Sequence, residues 1–162
     1  MSEPVRYIDA ITSRYERLGY APYRWYYADQ PPPWAPLKKP LSQSRVGLLS
    51  TSGAYVVGQV AYYYKDDTST RSIPKSTPAD QIHFSHITEN YLENPRKDPH
   101  CIMPLEAMRT LEQEGVIGEL ADDAYSCMGG VYSQRRTREE TIPEVRAKFL
   151  SQNIDVALLV PM

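Results

Sequence analysis

Residues 154–162 read IDVALLVPM, and the class of sheet turns on this segment. Val156 to Val160 are five consecutive apolar residues between Asp155 and Pro161. A short unbroken apolar run predicts a strand buried on both faces, as in a parallel sheet. The segment before it, TIPEVRAKFLSQN (141–153), predicts a helix. Thr141 and Glu144 stand at capping-box spacing, Ile142, Val145 and Phe149 share a face, and Asn153 suits a left-handed cap. A helix feeding a buried strand is the repeating unit of an α/β sheet. An apolar last strand left uncovered predicts self-association or poor solubility.

Upstream the same alternation continues. YIDAITSRYERLG (7–19) places Ile8, Ile11, Tyr15 and Leu18 on one helical face and stops at Gly19. RVGLLSTSGAY (45–55) is an apolar strand, 46–50, running into a Ser/Thr/Gly turn, and QIHFS (81–85) is a second, short strand. Residues 62–79 are polar and turn-rich and read as a loop. A helix over 104–114 turns Leu105, Met108 and Leu111 inward and ends at Gly115. DDAYSCMGG (122–130) reads as a strand end entering a glycine turn, and QRRTREE (134–140) as a solvated charged run. These elements predict a mostly parallel open sheet of Rossmann or flavodoxin type flanked by helices. We expect two parts: an N-terminal helix and arm, 1–40, and an α/β domain, 41–162, that continues past the last residue.

The chain has 14 prolines and 13 tyrosines, and many of them crowd into the arm, GYAPYRWYYADQPPPWAPLKKP (19–40). Its proline density excludes regular helix or a central strand. Exposed aromatics on a stiff arm suit an interface, with the domain itself or with a partner subunit. The net charge of -2 gives no reason to expect nucleic acid or an anionic membrane. No apolar run approaches the roughly 20 residues that span a bilayer. MSEPVRYIDA lacks the plan of a signal peptide, so the expected location is the cytoplasm, where Cys101 and Cys127 would be reduced.

In open α/β sheets ligands bind beyond the carboxyl ends of the strands. The segments at such ends, 50–55, 85–90, 125–130 and 160–162, are rich in hydroxyls and glycines. Thr51, Ser52, Gly53, Ser126, Gly129 and Gly130 could form a cradle for a carboxylate or phosphate, or simply be tight strand-to-helix turns. His86 follows a strand end and is a candidate acid, base or substrate ligand. His83 reads as structural. His100 and Cys101 project differently, and no metal site is expected. Cys127 reads as a small buried hydrophobe, with a reactive thiol as the alternative. No GxGxxG, P-loop, HExxH or GxSxG motif is present, so nucleotide and hydrolase chemistry has no support.

Taken in order, VGLLSTSGAY (46–55), RSIP (71–74), IHFSH (82–86), IMPLEAMRTLEQEGVIGELADDAYSCMGG (102–130) and IPEVRAKFLSQNIDVALLVP (142–161) resemble a known family. It is the selenoprotein B component of the glycine, sarcosine, betaine and D-proline reductases. The resemblance runs from about residue 45 onward and rests on the order and spacing of the blocks. Ala54 and Cys127 stand where relatives tend to carry other small or aromatic residues. The resemblance implies an oxidoreductase of amino-acid metabolism. In that family a strand ending LLVP leads, within a residue or two, to a redox-active selenocysteine, or cysteine in some members. That selenolate attacks the substrate carbon and reductively cleaves its C–N bond. Companion subunits, one carrying a pyruvoyl group in some complexes, and a thioredoxin-type donor are further implications. The nucleophile is thus expected just after Met162, facing a crevice lined by Thr51, Ser52, His86 and Ser126. The alternative is a non-catalytic α/β protein that holds a small carboxylate or a partner.

Overall fold

A computed structural model describes residues 4, 6–22 and 27–162. It divides into two compact units, residues 1–35 and 36–162. In the first, helix α1 (Tyr7–Arg17) ends as its sequence predicts. Gly19 adopts φ +82, and the Gly19 and Tyr20 amides donate to the Glu16 and Tyr15 carbonyls at 2.9 and 3.1 Å. The Tyr15 and Tyr20 rings meet edge to face at 5.9 Å, the apolar contact that accompanies such a cap. Beyond it Tyr27 and Trp34 are exposed. Residues 23–26 of the proline-rich arm lie outside the described residues.

The second unit is a mixed α/β domain. Its main sheet contains β1 (Arg45–Ser50), β3 (Arg71–Pro74), β5 (Glu119–Leu120), β6 (Asp123–Ser126) and β7 (Val156–Val160). β1 is central and pairs in parallel with β5 and β6 on one side and with β7 on the other. β3 runs antiparallel on the far side of β6. β5 and β6 act as one interrupted strand: Val46 faces Leu120 but Leu49 faces Tyr125. Three steps along β1 therefore match five along its neighbour, and Ala121 and Asp122 form the bulge. The bulged Asp122 carboxylate receives the Arg45 guanidinium at 2.8 Å.

Alternation along these strands sorts the two faces. After the short helix α2 (Glu93–Lys97), α3 (Leu105–Gln113) brings Leu105 and Met108 into the core beside Val46, Leu48, Ile73, Leu120 and Ala124. Each such buried aliphatic contributes roughly 1.5–3 kcal/mol. On the opposite face Tyr125 packs 5.7 Å from Phe149 of α5 (Ile142–Ser151). The α3 cap at Gly115 (φ +70) and the α5 cap at Asn153 (φ +54) are both left-handed, as expected. Ile154, just past the second cap, lies over Gly47, where a Cβ would stand 2.5 Å from its Cδ1. A side chain in the middle of β1 would therefore have to displace Ile154.

Four expectations are corrected. The 62–79 segment is not all loop, because β3 lies within it; its single inward apolar residue, Ile73, is too little signal to mark a strand that pairing with β6 creates. The 81–85 strand, β4 (Ile82–Phe84), pairs with β2 (Ala54–Val56) in a separate two-stranded sheet rather than joining the main one. The charged run 134–140 is helical, as α4 (Gln134–Arg136) and a π segment (Thr137–Thr141) leading into α5. The helix therefore starts at Ser133, whose hydroxyl accepts the Arg136 amide at 3.3 Å, and no capping box forms at Thr141. Pro143 has no N–H for the Glu139 carbonyl, and the widened turn before it accommodates that loss. Thr141 instead donates its hydroxyl to the Thr68 carbonyl at 3.0 Å. Ile142, placed inward by spacing, is exposed.

The fourth correction concerns β7. It lies at an edge of the sheet, not between two strands. Leu158 is 41% and Leu159 63% exposed, on opposite faces. Val156 and Val160 pack against the core. The apolar run is buried on one edge only, so its composition exceeds what the described residues cover. No helix among them is long and apolar enough to cross a membrane.

Candidate functional site

Parallel pairing brings the carboxyl ends of β1, β6 and β7 to one end of the sheet, and backbone bonds lock them there. The Thr51 amide donates to the Val160 carbonyl at 3.0 Å, and the Cys127 amide to the Ser50 carbonyl at 3.0 Å. Ser52 and Met128 form an antiparallel bridge, and the Gly53 amide donates to the Cys127 carbonyl at 3.0 Å. Met162 donates its amide to Thr51 Oγ1 at 2.8 Å. The three strand ends thus form one hydrogen-bonded rim.

β4 delivers His86 to this rim. The Ser85 amide donates to the Gly53 carbonyl at 3.1 Å. Gly53 has φ +65, and a Cβ on it would stand 2.1 Å from the Ser85 carbonyl oxygen, so the approach demands glycine. Tyr62 clamps the same corner. Its hydroxyl donates to the Ser126 carbonyl at 2.6 Å, its carbonyl accepts Ser85 Oγ at 3.0 Å, and Arg71 sits 4.3 Å above its ring. Burial pushes the Tyr62 phenol well above its ordinary range, against the Ser126 bond, so it stays a donor.

His86 is only 6% exposed. Its Nδ1 lies 2.6 Å from Thr88 Oγ1 and accepts the Thr88 amide at 3.2 Å. Its Nε2 is buried with no hydrogen-bond partner. That nitrogen faces Gly129: a Cβ there would stand 3.2 Å from His86 Nε2, 2.8 Å from the Thr51 carbonyl oxygen and 2.9 Å from that of Met162. Gly129 itself is exposed. Burial pushes the His86 imidazole below its ordinary pKa, with Glu89 opposing, so the ring is neutral at physiological pH.

The structure brings Thr51, His86 and Gly129 together at one point, with Gly130 beside the ring: its Cβ would stand 3.8 Å from His86 Cε1. The other cradle residues are engaged internally. Ser126 Oγ accepts the Ala54 amide at 2.7 Å. The Ser50 hydroxyl donates to the Ile102 carbonyl at 2.7 Å and its oxygen lies 2.7 Å from Ser52 Oγ, whose hydroxyl it accepts. These bonds build the rim's shape and leave little for a ligand. Cys127 is buried, and desolvation pushes its thiol up to about 11, away from thiolate character. Cys101 is exposed. His83 is exposed and stacks on Tyr55 at 5.8 Å, while His100 pairs with Glu106 at 2.6 Å, so neither reaches the rim. Among the described residues no cluster of three or more His, Cys, Asp or Glu could hold a metal ion.

Sequence reasoning placed Thr88 and Met162 within the strand-end segments 85–90 and 160–162 without giving either a role, and it missed Tyr62. Thr88 had a local signal, a hydroxyl two residues after a histidine at a strand end. Tyr62 had none, since its partner is 64 positions away. A cavity of about 710 Å³ opens elsewhere, lined by Tyr55, Asp80, His83, Arg96 and Lys97. Both of its cations are already paired, Arg96 with Glu89 at 2.5 Å and Lys97 with Glu93 at 2.8 Å. The strand ends, with a buried unpartnered histidine nitrogen, are the better site.

A family model described as glycine/sarcosine/betaine reductase selenoprotein B (GRDB) matches residues 73–161. The chain is 32% identical over 129 residues to the D-proline reductase subunit gamma of Acetoanaerobium sticklandii, covering 80% of this chain and 53% of that protein. It is 35% identical over 106 residues to the sarcosine reductase complex component B subunit beta of Peptoclostridium acidaminophilum, covering 62% of this chain and 24% of that protein. The chain thus spans about half the length, or less, of these two curated relatives. No solved structure matches it.

Proposed function

This chain belongs to the glycine/sarcosine/betaine reductase selenoprotein B family, and on that premise we propose that it is part of a reductase subunit cleaving the C–N bond of a small amino acid or betaine-like substrate. The observation that carries this reading is the rim itself. The carboxyl end of β7, the strand that in the family precedes the reactive residue, is tied to Thr51 beside the buried, unpartnered Nε2 of His86. We place a redox-active selenocysteine or cysteine just after Met162, at the mouth marked by Gly129. The sheet is then one side of a Rossmann- or flavodoxin-like domain, working in the cytoplasm.

In this scheme the selenolate or thiolate displaces the amine. A bond from selenium or sulfur to the substrate carbon forms, the C–N bond breaks, and the amine leaves with the electron pair and takes up a proton. A dithiol donor of thioredoxin type then attacks the selenium or sulfur, the carbon leaves with the electron pair and takes up a proton, and the second thiol releases the selenolate or thiolate as the donor becomes a disulfide. This chain's own residues orient and desolvate. The neutral His86 N–H donates to the anionic group in the crevice, and the buried rim behind it excludes water. Companion subunits complete the site, and where one of them carries a pyruvoyl group, Schiff-base chemistry on the amine is supplied there, outside this chain.

The test is an assay of the full-length gene product with its companion subunits and a dithiol donor. Glycine, sarcosine, betaine and D-proline are supplied in turn. Dithiol-dependent C–N cleavage of one of them, seen as released amine or as the ring-opened amino acid from D-proline, supports the reading. No turnover of any, by a complex shown to be folded and assembled, contradicts it.

A further inference from the structure

Accepting the strand-end rim as a ligand site, we propose that Thr88 is a positioning residue that locks the His86 ring in the Nε2–H tautomer, with that N–H turned into the crevice at Gly129. An amide N–H donates and cannot accept. Because the Thr88 amide is aimed at His86 Nδ1 at 3.2 Å, Nδ1 carries a lone pair. The Thr88 hydroxyl, 2.6 Å from the same nitrogen, then completes the pair of donors. A neutral imidazole has one ring proton, and with Nδ1 occupied as an acceptor it resides on Nε2.

The backbone holds Thr88 where this requires it. Thr88 sits at φ -100, ψ 71, at the start of the single turn Glu89–Tyr91. Its carbonyl accepts the Tyr91 amide at 3.0 Å, which closes that turn. On the other side Ser85 is fastened to Gly53, so the histidine is gripped from both flanks. What remains is a buried donor with no acceptor. An unpaired buried polar group is costly in a folded protein, and it is kept where a ligand supplies the partner. Thr88 acts through the ring and touches no ligand position itself.

The test is a long-range ¹H–¹⁵N correlation spectrum of the histidine rings in the ¹⁵N-labelled 162-residue chain near pH 7.5. His86 is assigned by its loss in His86→Gln. The expected spectrum has Nδ1 at an unprotonated and Nε2 at a protonated shift. Thr88→Val keeps the backbone amide but removes the hydroxyl, and should lower the Nε2–H to Nδ1–H ratio about fivefold. Thr88→Ser should restore it. A wild-type ring protonated on Nδ1, or a Thr88→Val ring with an unchanged ratio, overturns the proposal, and the wild-type spectrum decides even if the valine variant fails to fold. The spectrum needs neither substrate nor turnover. A locked Nε2–H in a protein without reductase activity would leave the lock standing and remove the reductase reading; the reverse pattern would remove the lock alone.

Discussion

Met162 donates its backbone N–H to the Thr51 hydroxyl at 2.8 Å, although 111 positions separate the two residues. The bond holds the end of β7 against the end of β1, so whatever follows Met162 departs from the rim beside His86. Thr51→Val removes the acceptor while keeping the shape. We expect a loss of about 1 kcal/mol, a lowering of the melting temperature by roughly 2–4 °C, and faster amide exchange at Met162. Thr51→Ser should preserve the wild-type exchange rate. An unchanged Met162 amide in Thr51→Val would show that this bond does not organise the strand end.

Two glycines with positive φ should respond differently to alanine. At Gly53 a Cβ would collide with the Ser85 carbonyl at 2.1 Å, whereas at Gly58 (φ +91) it would meet nothing within 4 Å. Gly58→Ala should cost about 1 kcal/mol, the ordinary penalty for a left-handed non-glycine residue. Gly53→Ala adds a backbone clash and should cost at least twice that in urea denaturation, with His86 displaced from the rim. Equal costs would argue against the close approach of Ser85 to the turn after β1.

The two cysteines should separate cleanly under alkylation. Cys101 is exposed, while Cys127 is buried with its thiol pushed up to about 11. Iodoacetamide at pH 8 should label Cys101 in the folded protein and Cys127 only as the chain unfolds. Labelling of Cys127 at the rate of Cys101, read by peptide mass spectrometry, would revive it as a nucleophile.

Acid stability rests partly on Glu112 and Glu144. Burial alone would raise both carboxyls. For Glu112 the Leu120 amide and Lys75 outweigh it, and for Glu144 Lys148 and Thr70 do, so both titrate below their ordinary value. The unfolded chain therefore takes up protons first as pH falls. The stabilisation is complete above about pH 4.3, the unfolded value, and is lost as pH drops through the lower folded values. Melting temperatures should be level with respect to these groups from pH 7 to 5 and then fall. Glu112→Gln should fall less steeply in acid, and a slope as steep as the wild type's would remove Glu112 from the account.

Much of the frame was legible because it is local. The stops at Gly19, Gly115 and Asn153, the strands at 46–50 and 156–160, and the helix at 104–114 follow from single-residue conformation and short-range periodicity. β3 was not legible, because one inward residue, Ile73, carries no periodicity and only pairing with β6 makes it a strand. The start of the last helix was misread because a threonine three residues before a glutamate mimics a cap in mid-helix. Strand-end logic named Thr51, His86 and Gly129, which the structure brings close together. Their convergence, and the diversion of Ser52 and Ser126 into internal bonds, depends on contacts made across the sheet. The exposure of Leu159 is of the same kind, since a strand's composition records what it can bury and its neighbours decide what is buried.

We propose that β7 delivers a reactive chalcogen into the rim formed by Thr51, Gly129 and His86. Mass spectrometry of the peptide spanning Met162, in the protein purified from its native source and first reduced and alkylated, decides it. That peptide should read through Met162 into an alkylated selenocysteine or cysteine within a few residues. A peptide with neither residue there would overturn the proposal.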